Sequence, residues 1–374
     1  MPAEHPAAFD VHGAVGIQLV DATARDVAVV RRQLGPLEAV LTREPDLVIR
    51  FVDRLPDDGE LRYLGIDEAA YTDERYLILR GRHKTAVRAS IPFERIGLDG
   101  PCELTVERGL IAIPQLVAIV NVTMFARGTL PLHAVGFVHD GHGVLTLGWA
   151  KGGKSETLLA FAGHGADLVG DEWVYVDPNA RVMRALPEPM RVWDWQIRSS
   201  GIGGRIPAGD RRRLAATRAI AAGLRAVGHA PVARGTAVGR GASRVRALVE
   251  RQLSVQVSPE RLLGRAPVDG AAIDRIVFVT SHASDDISIE PIDAGEVARR
   301  ATQSFLFELA DLLGHYRRFR FAFPARRNPL LDELETRYET AALAGLDGIP
   351  AIAVGHPYPL EIDRLYRAIA PALA

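Results

Sequence analysis

LPLHAVGFVHDGHGVLTLGWAKGGKSETLLAFAGHGADLVGDEWVYV, residues 130–176, is the most informative stretch of the chain. Residues 130–138 and 143–148 read as two strands around HDGHG, where Asp140 and Gly141 suit a tight hairpin turn. Residues 154–162 have helical spacing, and Gly163 is placed to end that helix. Residues 166–169 read as a short strand that delivers Asp171 and Glu172. Strand, loop, helix, strand and acid in that order describe an α/β unit that presents a loop at the end of a strand.

Upstream, short apolar or alternating runs (VGIQLV at 15–20, DLVIRFV at 46–52, RYLILR at 75–80, TAVRASI at 85–91) are separated by Pro, Gly and Asp clusters. They predict a small β-rich or α+β domain over residues 1–128, and no chemical motif stands in it. Residues 110–126, LIAIPQLVAIVNVTMFA, are apolar but short for a membrane span and carry Pro114, Gln115, Asn121 and Thr123. A buried helix is the expectation there. Downstream, IDRIVFVT (273–280) and IPAIAV (349–354) read as strands, and 294–314 and 360–370 as helices. These complete a second, α/β domain over residues 129–374. The fold class expected is α/β, or α+β taken over the whole chain.

Within the second domain, residues 205–246 hold ten arginines and one acid, Asp210. Such a segment is either a solvated helix with a flexible loop or a mobile arm that meets an anionic substrate. The chain as a whole is near neutral, with a formal net charge of −1, so its global balance points to neither nucleic acid nor an anionic membrane. Little aromatic interleaving accompanies the arginines, which also makes nucleic acid a poor partner. Cys102 is the one cysteine of the 374 residues. It excludes an intramolecular disulfide and a cysteine-based zinc cluster, and fits a reducing compartment. The opening MPAEHPAAFD lacks the basic start and apolar run of a secretory signal, so a cytoplasmic location is expected.

The loop itself, GWAKGGKS at 148–155, fits the phosphate-binding pattern G-x-x-x-x-G-K-[ST] at every fixed position. Gly148, Gly152 and Gly153 let backbone N–H groups turn toward phosphate oxygens, and the helix that begins at Lys154 adds its positive end. Lys154 is placed to reach the β and γ phosphates of ATP, and Ser155 to offer its hydroxyl to Mg²⁺. Lys151 is a second ammonium beside them. Only Lys84, Lys151 and Lys154 are lysines in this chain, against 42 arginines, so a lysine pair in one loop marks a need for a compact cation. Of Asp171 and Glu172, one carboxylate could hold Mg²⁺ and the other accept a proton from an attacking hydroxyl. His133 lies in the strand before the loop, whereas His139, His142 and His164 have no metal-ligand spacing.

LPLHAVGF, GWAKGGKSE and GADLVGDEWVYV together resemble the core of bacterial HPr kinase/phosphorylase. In that family a His followed by a small residue precedes the loop, the loop closes with Gly-Lys-Ser-Glu, and a short strand delivers two adjacent acids. Here these are His133 and Ala134, then Gly153, Lys154, Ser155 and Glu156, then Asp171 and Glu172. The resemblance implies a nucleotide domain similar to that of phosphoenolpyruvate carboxykinase and phosphoryl transfer from ATP to a serine hydroxyl. It implies Asp171 as general base with His133 close by, Glu172 assisting Mg²⁺, and a homo-oligomer. Some divergent relatives phosphorylate a serine of a peptide precursor. The expected function is therefore an ATP- and Mg²⁺-dependent kinase acting on a hydroxyl of a protein, peptide or small molecule. An NTP-hydrolysing switch that binds a partner without phosphorylating it, and a peptide-binding module, stand as alternatives.

Overall fold

Alternation makes strands of the N-terminal runs: in LVIRFV, residues 47–52, Leu47, Ile49 and Phe51 are buried and the residues between them are partly exposed. The computed structural model describes residues 7–55, 60–64, 69–80, 83–229, 237–358 and 360–373. Residues 1–6, within the opening read above, and 230–236 of the Arg-rich segment lie outside the described residues.

The first sheet is built from β1 (Ala8–Val11), β2 (Val15–Val20), β3 (Leu47–Val52), β4 (Ala69–Tyr71), β5 (Tyr76–Arg80), β6 (His83–Ile91) and β7 (Cys102–Glu107). Its order among the described residues is β1-β2-β3-β7-β6-β5-β4. β2, β3 and β7 run parallel, and the remaining pairs are antiparallel. Helix α1 (Ala24–Leu34) makes the crossover between β2 and β3. Its start is fixed by a capping box in which Thr23 and Asp26 satisfy each other's backbone N–H. Helix α2 (Leu116–Ala126) occupies most of the apolar stretch and is largely buried.

The second half contains β8 (Leu130–His139), β9 (His142–Gly148), α3 (Lys154–Gly163), β10 (Asp167–Gly170), β11 (Trp173–Asp177), β12 (Val182–Ala185), β13 (Met190–Trp193) and α4 (Asp194–Ser199). Then follow α5 (Ala208–His229), α6 (Ala237–Glu250), β14 (Ser254–Val257), α7 (Pro259–Leu263), β15 (Ala271–Ala272), β16 (Arg275–His282) and β17 (Ser288–Pro291). The chain ends with α8 (Ala294–Glu308), α9 (Ala310–Ala322), α10 (Pro329–Asp332), α11 (Leu334–Leu346), β18 (Ala351–Pro357) and α12 (Ile362–Leu373). The second sheet runs β15-β12-β11-β8-β9-β16-β18-β17, with β10 also paired to β8. β9, β16 and β18 are parallel, so their C-terminal ends open on one side, beside the loop after β9.

Helices cover both faces of this sheet: α3 and α12 on one, α2, α8 and α11 on the other. One buried apolar cluster runs from Phe9 of the first sheet to Leu346 of α11, and a second lies under α3 and α12. The molecule is thus a mixed α/β protein in which two sheets share a continuous core.

Three local expectations change. The helix read over 294–314 divides at Leu309, after which α9 turns to the first sheet. There the Tyr71 hydroxyl meets His315 Nδ1 at 2.8 Å and Phe93 packs on Phe319 with ring centroids 5.1 Å apart. Buried Asn328 donates to the carbonyls of Phe93 and Ile96, so part of the C-terminal half completes the N-terminal layer. Gly163 is the last residue of α3 rather than its terminator. Where one helix is read in the Arg-rich segment, its described residues form two, α5 and α6, which pack on each other.

Candidate functional site

The hairpin between β8 and β9 turns on Asp140 and Gly141, both with positive φ, which brings β9 back antiparallel beside His133. β9 stops at Gly148 and α3 starts at Lys154. No side chain caps the N-terminus of α3, whose cap residue is Gly153. The first-turn N–H groups and the positive end of the helix are therefore presented to a ligand. Gly153 sits at φ +111°, and a Cβ there would stand 2.1 Å from His356 Nε2. His356, on β18, is fully buried, and that same nitrogen meets the Gly152 carbonyl at 3.0 Å.

Lys154 folds back over this loop, donating to the carbonyls of Gly148 at 3.2 Å and Trp149 at 3.1 Å. It is buried, and burial lowers its pKa from the usual lysine value. Two carbonyl dipoles partly satisfy an ammonium whose stronger partner is an anion. Lys151 is exposed on the same loop.

Asp171 and Glu172 fill the interruption between β10 and β11, two strands that pair with successive parts of one edge of β8. Glu172 adopts φ +72°, uncommon for a residue with a side chain, and the kink lets the two acids point to different partners. The Ser155 hydroxyl donates to Asp171 Oδ1 at 3.0 Å, with Oδ2 at 3.2 Å, and the Glu172 N–H also donates to Oδ1. Burial, and then the adjacent Glu172 charge, push the Asp171 carboxyl up to about 7. Glu172 Oε2 lies 3.0 Å from His133 Nε2, and that hydrogen bond holds its carboxyl below the usual glutamate range. His133 is buried, with Nδ1 3.2 Å from Glu308 Oε1 and 3.4 Å from Ser304 Oγ.

The donor set fits Mg²⁺. Two ligands cis to each other in an octahedral shell at about 2.1 Å stand roughly 3 Å apart, which is the separation of the Ser155 and Asp171 oxygens. Among the described residues no three His, Cys, Asp or Glu side chains form a metal cage. A Mg²⁺ site that takes one or two protein ligands and completes its shell with phosphate oxygens and water needs none.

These groups line a cavity of about 450 Å³. His133, Lys151, Gly153, Lys154, Ser155, Glu156 and Glu172 all reach it, whereas Gly152 and Asp171 do not line it and Gly148 lines a neighbouring cavity. Glu156 turns away from the loop to accept from Gln196 Nε2 at 3.0 Å, so its placement is that of a wall tied to α4. None of the described arginines of 205–246 lines this cavity; Arg218 instead grips Asp194 at the start of α4. The opposite wall is Arg191, Trp193, Trp195 and Tyr358, with Trp195 and Tyr358 rings edge to face at 5.5 Å.

Sequence reasoning missed Glu188, Arg191, Ser304, Glu308, His356 and that aromatic wall. A signal existed for the wall: two of the four tryptophans fall within the three residues 193–195. Glu188 is a further carboxyl whose Oε1 has no hydrogen-bond partner, pushed up to about 8 by burial and by Glu172 and Asp171.

Among the described residues no helix is long and apolar enough to cross a membrane. A scan against models of known protein families finds no match, and no curated protein matches the chain significantly.

Proposed function

We propose that the chain is a kinase that binds ATP with Mg²⁺ at the loop 148–155 and transfers the γ-phosphoryl group to a hydroxyl. The observation that carries this reading is the buried Asp171, in contact with Ser155 at the uncapped start of α3 and one residue from Glu172. A carboxyl raised toward neutrality beside a metal ligand is suited to take a proton from an alcohol. In this reading the first-turn N–H groups of α3 and Lys154 hold the phosphates, and Lys154 exchanges its two carbonyl partners for phosphate oxygens. Trp193, Trp195 and Tyr358 offer faces for the nucleoside. Ser155 and one acid of the pair would hold Mg²⁺, which would supply positive charge to the phosphates.

Asp171 takes the acceptor's hydroxyl proton as that oxygen bonds to the γ phosphorus, and the bond to the β–γ bridging oxygen breaks to leave ADP. His133, set between Glu172 and Glu308, orients Glu172. The Ser155–Asp171 contact favours a second division of labour, in which Asp171 stays on the metal and Glu172 takes the proton.

The deciding experiment follows label from γ-labelled ATP in cell extract with the wild type and Lys154→Ala. Label on a discrete acceptor, lost with the variant, supports the kinase. Release only as inorganic phosphate, at a rate the extract leaves unchanged, turns the reading to an NTP-hydrolysing switch.

A further inference from the structure

Beside the phosphate cavity lies a larger one of about 650 Å³, between α8, α11 and the C-terminal ends of β9 and β16. His133 lines both cavities, so the two meet at the side chain that touches Glu172. The floor of the second cavity is apolar, from Leu147, Phe278 and Ala301. Trp149, which is 47% exposed, packs against Phe307 at 4.8 Å and makes an apolar lip.

The charges at its rim do not cancel locally. Arg300 is already engaged, paired with Glu296 and set over the Phe278 ring at 5.1 Å. Arg299 has only Asp293 at 4.0 Å, the limit of an ion pair, and Glu339 makes no hydrogen bond or ion pair among the described residues. One guanidinium and one carboxylate are thus left around an apolar pocket of a size typical for small-molecule sites. A ligand matching that pattern carries a carboxylate for Arg299, an ammonium for Glu339 and an apolar body for the floor.

We propose that this cavity is the acceptor site and that its occupant is a small zwitterionic hydroxyl compound, an amino-acid-like molecule with an apolar side group. The proposal rests on the phosphotransfer reading for its chemistry. It places the hydroxyl at His133, where the cavities join. The nucleoside is left to Trp193, Trp195 and Tyr358 on the far side of the loop.

The test is calorimetric titration with 3-phenylserine, which has all three features, against 3-hydroxy-3-phenylpropanoate, which lacks the ammonium, and 2-amino-1-phenylethanol, which lacks the carboxylate. Wild type, Arg299→Gln, Glu339→Gln and Thr280→Tyr, which fills the cavity from its exposed edge, are compared, each also titrated with the non-hydrolysable AMP-PNP and Mg²⁺. Phenylserine is expected to saturate wild type near or above about 1 mM, with each probe lacking one charge roughly tenfold weaker. Arg299→Gln should erase the advantage over 2-amino-1-phenylethanol, and Glu339→Gln the advantage over 3-hydroxy-3-phenylpropanoate. Thr280→Tyr should lose all three probes, while AMP-PNP affinity stays within about twofold throughout. Absence of saturable binding of any probe overturns the proposal. So does a Thr280→Tyr variant that binds phenylserine normally but AMP-PNP about tenfold more weakly, which would make the cavity a nucleoside pocket. Failure of AMP-PNP to bind wild type, or equal binding to Lys154→Ala, would sink the nucleotide reading instead and leave the probe result standing separately.

Discussion

Ser155 on the first turn of α3 donates its hydroxyl to Asp171 in the break between β10 and β11, at 3.0 Å, joining the loop 148–155 to the acidic pair. The contact fixes both oxygens at the spacing of neighbouring metal ligands. Ser155→Ala should therefore weaken AMP-PNP binding in Mg²⁺ by about ten- to a hundredfold, the scale seen when a group supporting a bound metal is removed. In EDTA the two proteins should bind alike. A defect that persists undiminished in EDTA would assign Ser155 to the phosphates and not to the metal.

Asp171 and Glu172 differ enough in environment to be separated by conservative substitution. Asp171→Asn should keep AMP-PNP binding and lose about 10²- to 10⁴-fold in transfer rate, the usual worth of a positioned general base. Glu172→Gln should cost less in rate and more in Mg²⁺ dependence. Full transfer by Asp171→Asn, with Glu172→Gln inactive, would move the proton to Glu172.

Two raised carboxyls give the free protein a defined pH response. Burial and neighbouring negative charge lift Asp171 from 3.8 to about 7 and Glu188 from 4.5 to about 8. A folded-state pKa above the unfolded value means that stability is full below the unfolded pKa and is lost as pH rises through the folded one. The unliganded protein should therefore melt at lower temperature at pH 8 to 9 than at pH 5 to 6. Glu172 is lowered from 4.5, so its contribution is lost only in more acid solution and leaves this window untouched. Asp171→Asn and Glu188→Gln should each raise Tm at the alkaline end and flatten the curve. Melting curves for wild type and variants that run parallel from pH 5 to 9 would refute the assignment.

What could be read from the sequence was what is local along it. The turn at Asp140 and Gly141, the loop, and the return to Asp171 each depend on neighbours a few residues apart, and β8 pairs directly with the strands on both sides. Glu308 and Ser304 reach His133 across more than 170 residues, and only because α8 packs on the sheet and ends at Leu309. No glycine or proline marks that end. The helix stops because α9 must cross to Tyr71 and Phe93 on the first sheet, a tertiary demand with no local signature.

His356 was silent for the same reason, since a single histidine in a buried strand carries no pattern, yet it shapes the loop from 204 residues away. Its ring fills the space that a side chain at Gly153 would need, and Gly153 also holds a left-handed backbone. Gly153→Ala therefore faces two penalties, a collision with His356 and backbone strain of about 1 to 3 kcal/mol. His356→Ala removes the collision and leaves the strain, so the two changes should be non-additive. Gly153→Ala alone should abolish AMP-PNP binding and lower Tm, and the double variant should recover part of the Tm while binding stays impaired. Strict additivity in Tm would show that the loop avoids His356 by moving as a whole, and that the close approach of β18 does not set its shape.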